Sequence, residues 1–135
     1  MRLRPVGITA LALFFALGTA ISTLAAASLL VPGCALEPMW RLNPRARTAF
    51  AGMGVLAPLL LVPVSVACAL AAVGLWRRRP WGYWTALGLL AVHGIADVLN
   101  GFLGTEPRAM VGIPIVLALL VYLRRPAVRG AFQVR

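Results

Sequence analysis

The chain has 135 residues, enough for one domain, and is 61% hydrophobic but only 12% charged. A soluble domain runs nearer roughly half apolar and a quarter charged, so lipid is the expected solvent for most of this chain. Its formal net charge of +10 comes from thirteen cationic residues, all arginine, against three acidic ones. These arginines sit at the ends of apolar runs. They therefore point to anionic lipid headgroups as partners and not to nucleic acid.

A membrane-spanning helix needs ~20 mainly apolar residues. The first such run covers about residues 6–31, behind Arg2 and Arg4 and ahead of a Pro32-Gly33 stop. Its basic start and the stretch Leu24-Ala25-Ala26-Ala27 also fit a secretory signal. The run is longer than the about 7–15 apolar residues of a signal core, so retention as a span is expected. Residues 32–48 are polar and turn-rich. Within them Trp40, Arg41 and Asn43 mark an outer interfacial loop, with Asn43-Pro44 as a turn signal. The structural alternative to a binding loop there is an ordinary connector that hugs the interface, where a tryptophan is expected.

The second predicted span covers about residues 50–76 and contains Pro58 and Pro63, which membrane helices tolerate. Arg77, Arg78 and Arg79 form a basic turn before the third span, about residues 81–103. A turn through Glu106 and Arg108 leads to the fourth, about residues 109–123. At ~1.5 Å per residue that span reaches about 22 Å, short of a ~30 Å hydrocarbon core. The tail carries Arg124, Arg125, Arg129 and Arg135 and is expected at headgroup level.

Loop arginines orient the chain. With the N-terminus inside, Arg2, Arg4, Arg77, Arg78, Arg79 and the tail arginines lie on the inner side. Arg41, Arg45, Arg47 and Arg108 lie on the outer side. The expected fold is thus all-α: a polytopic four-helix transmembrane bundle with both ends in the cytoplasm. Trp40, Trp76, Trp81, Trp84 and Tyr122 fall near the expected interfaces.

Lipid drives helix association weakly, so small residues at four-residue spacing mark candidate contacts. They occur at Ala12, Ala16 and Ala20, and again at Ser65/Ala69, Ala67/Ala71 and Cys68/Ala72. Cys34 and Cys68 belong to no CxxC pair, and their expected placement in different layers argues against a disulfide.

The third span carries the most distinctive residues. His93, Asp97 and Asn100 stand at i, i+4 and i+7, within about a 60° stripe of a helix turning ~100° per residue. Asp97 is the one acidic residue inside an expected span, and His93 is the one histidine of the chain. An ionised aspartate at the bilayer centre costs at least ~2.5–3.5 kcal/mol, so it is expected to face protein. Two roles fit: a proton relay or polar substrate site, and a polar clamp between helices. The clamp is the simpler, because one helix supplies every polar group. The other spans offer mainly Thr9, Thr19, Ser22, Thr23 and Ser65.

Lone His93 and Asp97 fall short of the three protein ligands of a catalytic zinc site, so neither metal nor cofactor is expected. Enzyme signatures such as GxSxG, a phosphate loop or HExxH are missing, and no catalytic residue is assigned.

Three segments together resemble a group of small, uncharacterised four-helix bacterial integral membrane proteins. They are WRLNPRA at 40–46, WRRRPWGYW at 76–84 followed by DVLNG at 97–101, and IPIVLALLVYLRRPAVRGAF at 113–132. The resemblance covers most of the chain after the first span. It implies the four-helix architecture and a multi-pass protein of the bacterial plasma membrane, and it brings no activity or cofactor. The sequence therefore leads to a non-enzymatic packing or interaction component, as a homo-oligomer or with another membrane protein. A small proton- or solute-handling transporter built on the His93 stripe is the alternative.

Overall fold

Valine to leucine without one charge is the whole content of α1, Val6–Leu30. It stops where Pro32 cannot continue a helix and Gly33 turns to a φ of 79°. The computed structural model describes residues 6–103 and 109–133. Arg2, Arg4, Glu106, Arg108 and Arg135 lie outside the described residues. Helix accounts for 87% of the structure, with no strand among the described residues.

A 3-10 turn, Glu37–Leu42, leads into α2, Pro44–Met53. Asn43 caps α2, its side-chain oxygen accepting from the Ala46 N–H at 3.1 Å, with Pro44 preset in the first turn. Gly54 ends the helix at a φ of 57°. The apolar run from Phe50 is thus divided. Phe50 belongs to α2, and the long apolar helix α3 is Leu56–Trp76. The single span expected from residue 50 is interrupted by this positive-φ glycine. Pro58 falls in the first turn of α3, where its missing N–H costs no helical bond, whereas Pro63 is interior.

Arg77 to Arg79 connect α3 to α4, Pro80–Phe102. The turn closes with the Arg79 N–H donating to the Gly74 carbonyl at 2.8 Å, Arg78 in the left-handed region and Pro80 opening α4. Then come α5, Ala109–Arg124, and a short α6, Pro126–Ala131. The tail, expected as a basic headgroup segment, thus contains a helix with a buried side. Val128 and Phe132 are buried.

Helices α1, α3 and α4 are each long and apolar enough to cross a membrane. At 16 residues α5 is shorter, about 24 Å at 1.5 Å per residue. No more than 28% of the most apolar stretch of any long helix is buried. Leucines and valines point outward instead, among them Leu13, Leu17, Leu59, Val92 and Ile95. Water solvates such a surface poorly and hydrocarbon solvates it well.

Contacts group the chain into two units: residues 15–69, and residues 1–14 with 70–135. In the first unit, the later part of α1 meets the early part of α3. The Thr23 and Ser65 hydroxyls share a 2.6 Å hydrogen bond, and both lie within reach of the Thr19 carbonyl at 2.8 and 3.2 Å. A Cβ on Gly18 would stand 3.5 Å from Cys68 Sγ. Of the expected small-residue stripes, Ser65, Cys68, Ala71 and Ala12 are buried, while Ala16 and Ala20 are exposed. Both cysteines are free.

In the second unit, α4 and α5 form the most extensive helix pair. The ends of several elements also meet. Gly7 lies against the Tyr122 ring, the backbones of Gly74 and Gly82 touch, and Tyr83 packs on Phe132 with centroids 5.6 Å apart. Any side chain at Gly82 would collide with the Gly74 backbone. Gly82→Val is therefore expected to lower thermal stability by an amount in the overpacking range of about 1–3 kcal/mol. Gly88, with nothing within 4 Å of an added Cβ, is the internal control. Gly88→Ala should be neutral or stabilising by up to ~1 kcal/mol, and equal losses in detergent melts of the two variants would contradict this packing.

Candidate functional site

Helix α4 places the three polar residues of the stripe differently. Its contact face toward α5 is cut back by glycine. An added Cβ at Gly94 would stand 3.0 Å from Val116, and one at Gly101 would stand 3.1 Å from Met110. Asp97 lies between them and reaches into this seam. Across the seam Gly112 of α5 leaves room for the carboxylate, since a Cβ there would press on Asp97. Asp97 is consequently 9% exposed.

One oxygen of the carboxylate is enclosed without a hydrogen bond. Asp97 Oδ2 has no hydrogen-bond partner among the described residues. His93 Nε2 stands 3.8 Å away, beyond hydrogen-bond length. The imidazole itself remains 70% exposed, and Asn100 is exposed on the same flank. The opposite flank of the α4–α5 pair is an apolar groove of about 380 Å³ lined by residues such as Ala91, Ile95, Val98 and Leu120. Polar groups are thus confined to one side of α4. Among the described residues no group of three His, Cys, Asp or Glu side chains is arranged to hold a metal ion.

The loop after α1 is more built than an interfacial connector requires. Trp40, expected at a lipid interface, is buried, and its indole N–H donates to Ser28 Oγ at 2.9 Å. Ser28 in turn donates to the Ala25 carbonyl at 2.8 Å, which ties the loop to the last turns of α1. The Trp40 and Phe50 rings pack with centroids 6.1 Å apart. Glu37 closes the far side: Oε1 accepts from the Gly33 N–H at 3.3 Å, and Oε2 pairs with Arg47. Asn43 caps α2, and Arg41 is exposed.

The pairing of Glu37 with Arg47 was not legible in sequence, because a spacing of ten residues matches no regular helical contact. Arg47, a candidate partner for Asp97 by its expected outer position, is engaged by Glu37 instead. Gly112 was equally silent among the glycines of an apolar chain. The basic anchors Arg77, Arg79, Arg124 and Arg125 are exposed, and Arg125 stacks at 6.0 Å over the Tyr122 ring.

Two substitutions separate these contacts. Asp97→Asn keeps the shape and removes the charge from an oxygen that makes no hydrogen bond. Its thermal stability in detergent is expected to equal or exceed wild type, within the ~1–3 kcal/mol scale of an unsatisfied buried group. A clear loss would show that the carboxylate is a structural partner. Trp40→Phe strands the Ser28 interaction and should destabilise by about 1–2 kcal/mol, visible as faster proteolysis of the loop.

No family model, curated protein or solved structure matches this chain.

Proposed function

We propose that the chain is a non-enzymatic multi-pass component of a bacterial plasma membrane, crossing it four times and packing through α4 with a second membrane protein, itself or another. The observation that carries this reading is the 70% exposure of the His93 side chain on a helix long and apolar enough to cross a bilayer. Polar and ionisable side chains inside a membrane face protein or a water-lined cavity, not lipid tails. Helix α5 covers only the flank of α4 bearing Gly94, Asp97 and Gly101, so the flank bearing His93 calls for another surface.

Several contacts support the four-pass topology with both ends inside. Gly7 beside Tyr122, Gly74 beside Gly82 and Tyr83 beside Phe132 gather the start of α1, the α3–α4 turn and the C-terminal segment at one end of their unit. That end carries Arg77, Arg78, Arg79, Arg124, Arg125 and Arg129, as the rule of positive cytoplasmic loops requires. There the exposed arginines meet anionic headgroups. Helix α5 serves as the fourth crossing, with its shortness met by local thinning of the bilayer or by the flanking Arg124 and Arg125.

Asp97 favours a second reading, a small proton- or solute-handling transporter, because its buried Oδ2 has no hydrogen-bond partner among the described residues and His93 stands 3.8 Å away. Flux into reconstituted vesicles that is lost in Asp97→Asn would select it.

Association is the test of the first reading. In vesicles of decreasing protein density, cross-linking or single-molecule photobleaching of wild type should show dimers or larger species, or a partner should co-purify from native membranes. His93→Leu should weaken that association about threefold, the equivalent of the ~0.6 kcal/mol typical of a polar contact between membrane helices. A monomeric wild type at every density, with no partner retained, would rule the reading out.

A further inference from the structure

The elbow between α1 and α3 holds a cleft of about 480 Å³ whose walls include Glu37, Trp40, Arg41 and Arg47. The walls are fixed. Trp40 is tied through Ser28 to α1, Phe50 supports it from α2, and the Glu37–Arg47 pair braces the rim. Charge is not balanced across this space: two guanidinium groups face one carboxylate. Glu37 engages Arg47, while Arg41 has no ion-pair partner among the described residues. The first turn of α2 opens on the same cleft at Pro44 and carries no acidic residue, which adds the positive end of a helix.

The surroundings are amphiphilic. Leu42, next to Arg41, is 83% exposed, and Leu30, Val31, Val55 and Leu56 are exposed at the ends of the flanking apolar helices. A free anion would use the guanidinium and leave this apolar rim in water. A lipid would use both, its phosphate in the cleft and its chains along the rim.

We propose that this cleft seats the phosphate of a phospholipid headgroup, with Arg41 as its principal donor and Arg47 as the second. The inference rests on the reading that α1 and α3 cross a bilayer, which places the cleft at headgroup level. Arg41 is the residue with a free fork, and a guanidinium binds phosphate through two parallel N–H donors. Trp40 sets the position of Arg41 by holding the 3-10 turn on α1 and does not itself meet the phosphate.

The test uses the full chain purified in detergent, with lipid adducts counted by native mass spectrometry. Phosphatidylglycerol, diacylglycerol with the same chains and inorganic phosphate are the probes. Wild type should retain phosphatidylglycerol and not diacylglycerol, and inorganic phosphate at millimolar level should not displace the lipid. Arg41→Gln should lower retention about tenfold, a change matching one charge-assisted contact. Arg41→Lys should keep more than Arg41→Gln. Arg45→Gln removes the same charge from an exposed α2 position outside the cleft and should leave retention within about twofold of wild type.

Equal losses in Arg41→Gln and Arg45→Gln would overturn the proposal in favour of diffuse attraction. Unchanged retention in Arg41→Gln, or diacylglycerol held as well as phosphatidylglycerol, would overturn it as well. Displacement by inorganic phosphate would assign the cleft to a free anion. Flotation of wild type and Arg41→Gln with vesicles separates this from the membrane reading itself, since both proteins must float if the helices cross a bilayer.

Discussion

At Gly7, Gly74, Gly82, Gly94, Gly101 and Gly112 the neighbouring element occupies the space that a Cβ would fill or crowd. All six lie in the unit that contains α4 and α5; at Gly74 and Gly82 backbone meets backbone, and at the other four a neighbouring side chain fills the space. Apolar side chains directed outward gain nothing by pairing helices when the surroundings are as apolar as they are. Dispersion between closely apposed backbones and short side chains then becomes the available attraction, and it falls off within about 1 Å of added separation. Glycine at the contact is what keeps that separation small.

Polar contacts add direction to this packing. The Thr19, Thr23 and Ser65 cluster joins α1 to α3 at one depth, because hydroxyl bonds of 2.6 to 3.2 Å tolerate little sliding. The Trp40–Ser28–Ala25 chain of bonds does the same for the loop that follows α1. Asp97 is a different case. Gly112 admits its carboxylate to the α4–α5 seam, yet nothing described there donates to Oδ2. A seam held by backbone approach alone would be better served by alanine at this position. The carboxylate thus places a buried polar atom in the seam without a described bond from Oδ2 to α5.

The long apolar helices were legible because their signal is length without charge, which α1, α3 and α4 all show. Boundaries were less so. Residues 50–53 read as the start of a span because they are apolar, but the break at Gly54 depends on a backbone dihedral that composition does not display. The tail read as basic, whereas Val128 of α6 and Phe132 at its C-cap are buried, which charge count alone does not display. Of the stripe on α4, the common face of His93, Asp97 and Asn100 followed from spacing. Which residue is enclosed did not, because that depends on where α5 crosses. The same limit applies to Trp40: an aromatic at an expected interface and one locked onto Ser28 look alike in sequence.

Helix α5 shows how these constraints combine. It is the shortest of the apolar helices, and Pro114 removes one of its internal hydrogen bonds, to the Met110 carbonyl. A short helix with an interrupted ladder has little independent stability, so its place must come from its neighbours. Met110 and Gly112, both within the turn that Pro114 interrupts, meet Gly101 and Asp97 of α4. The close approach continues past the proline, where an added Cβ at Gly94 would stand 3.0 Å from Val116, so α4 supports α5 on both sides of its interrupted turn.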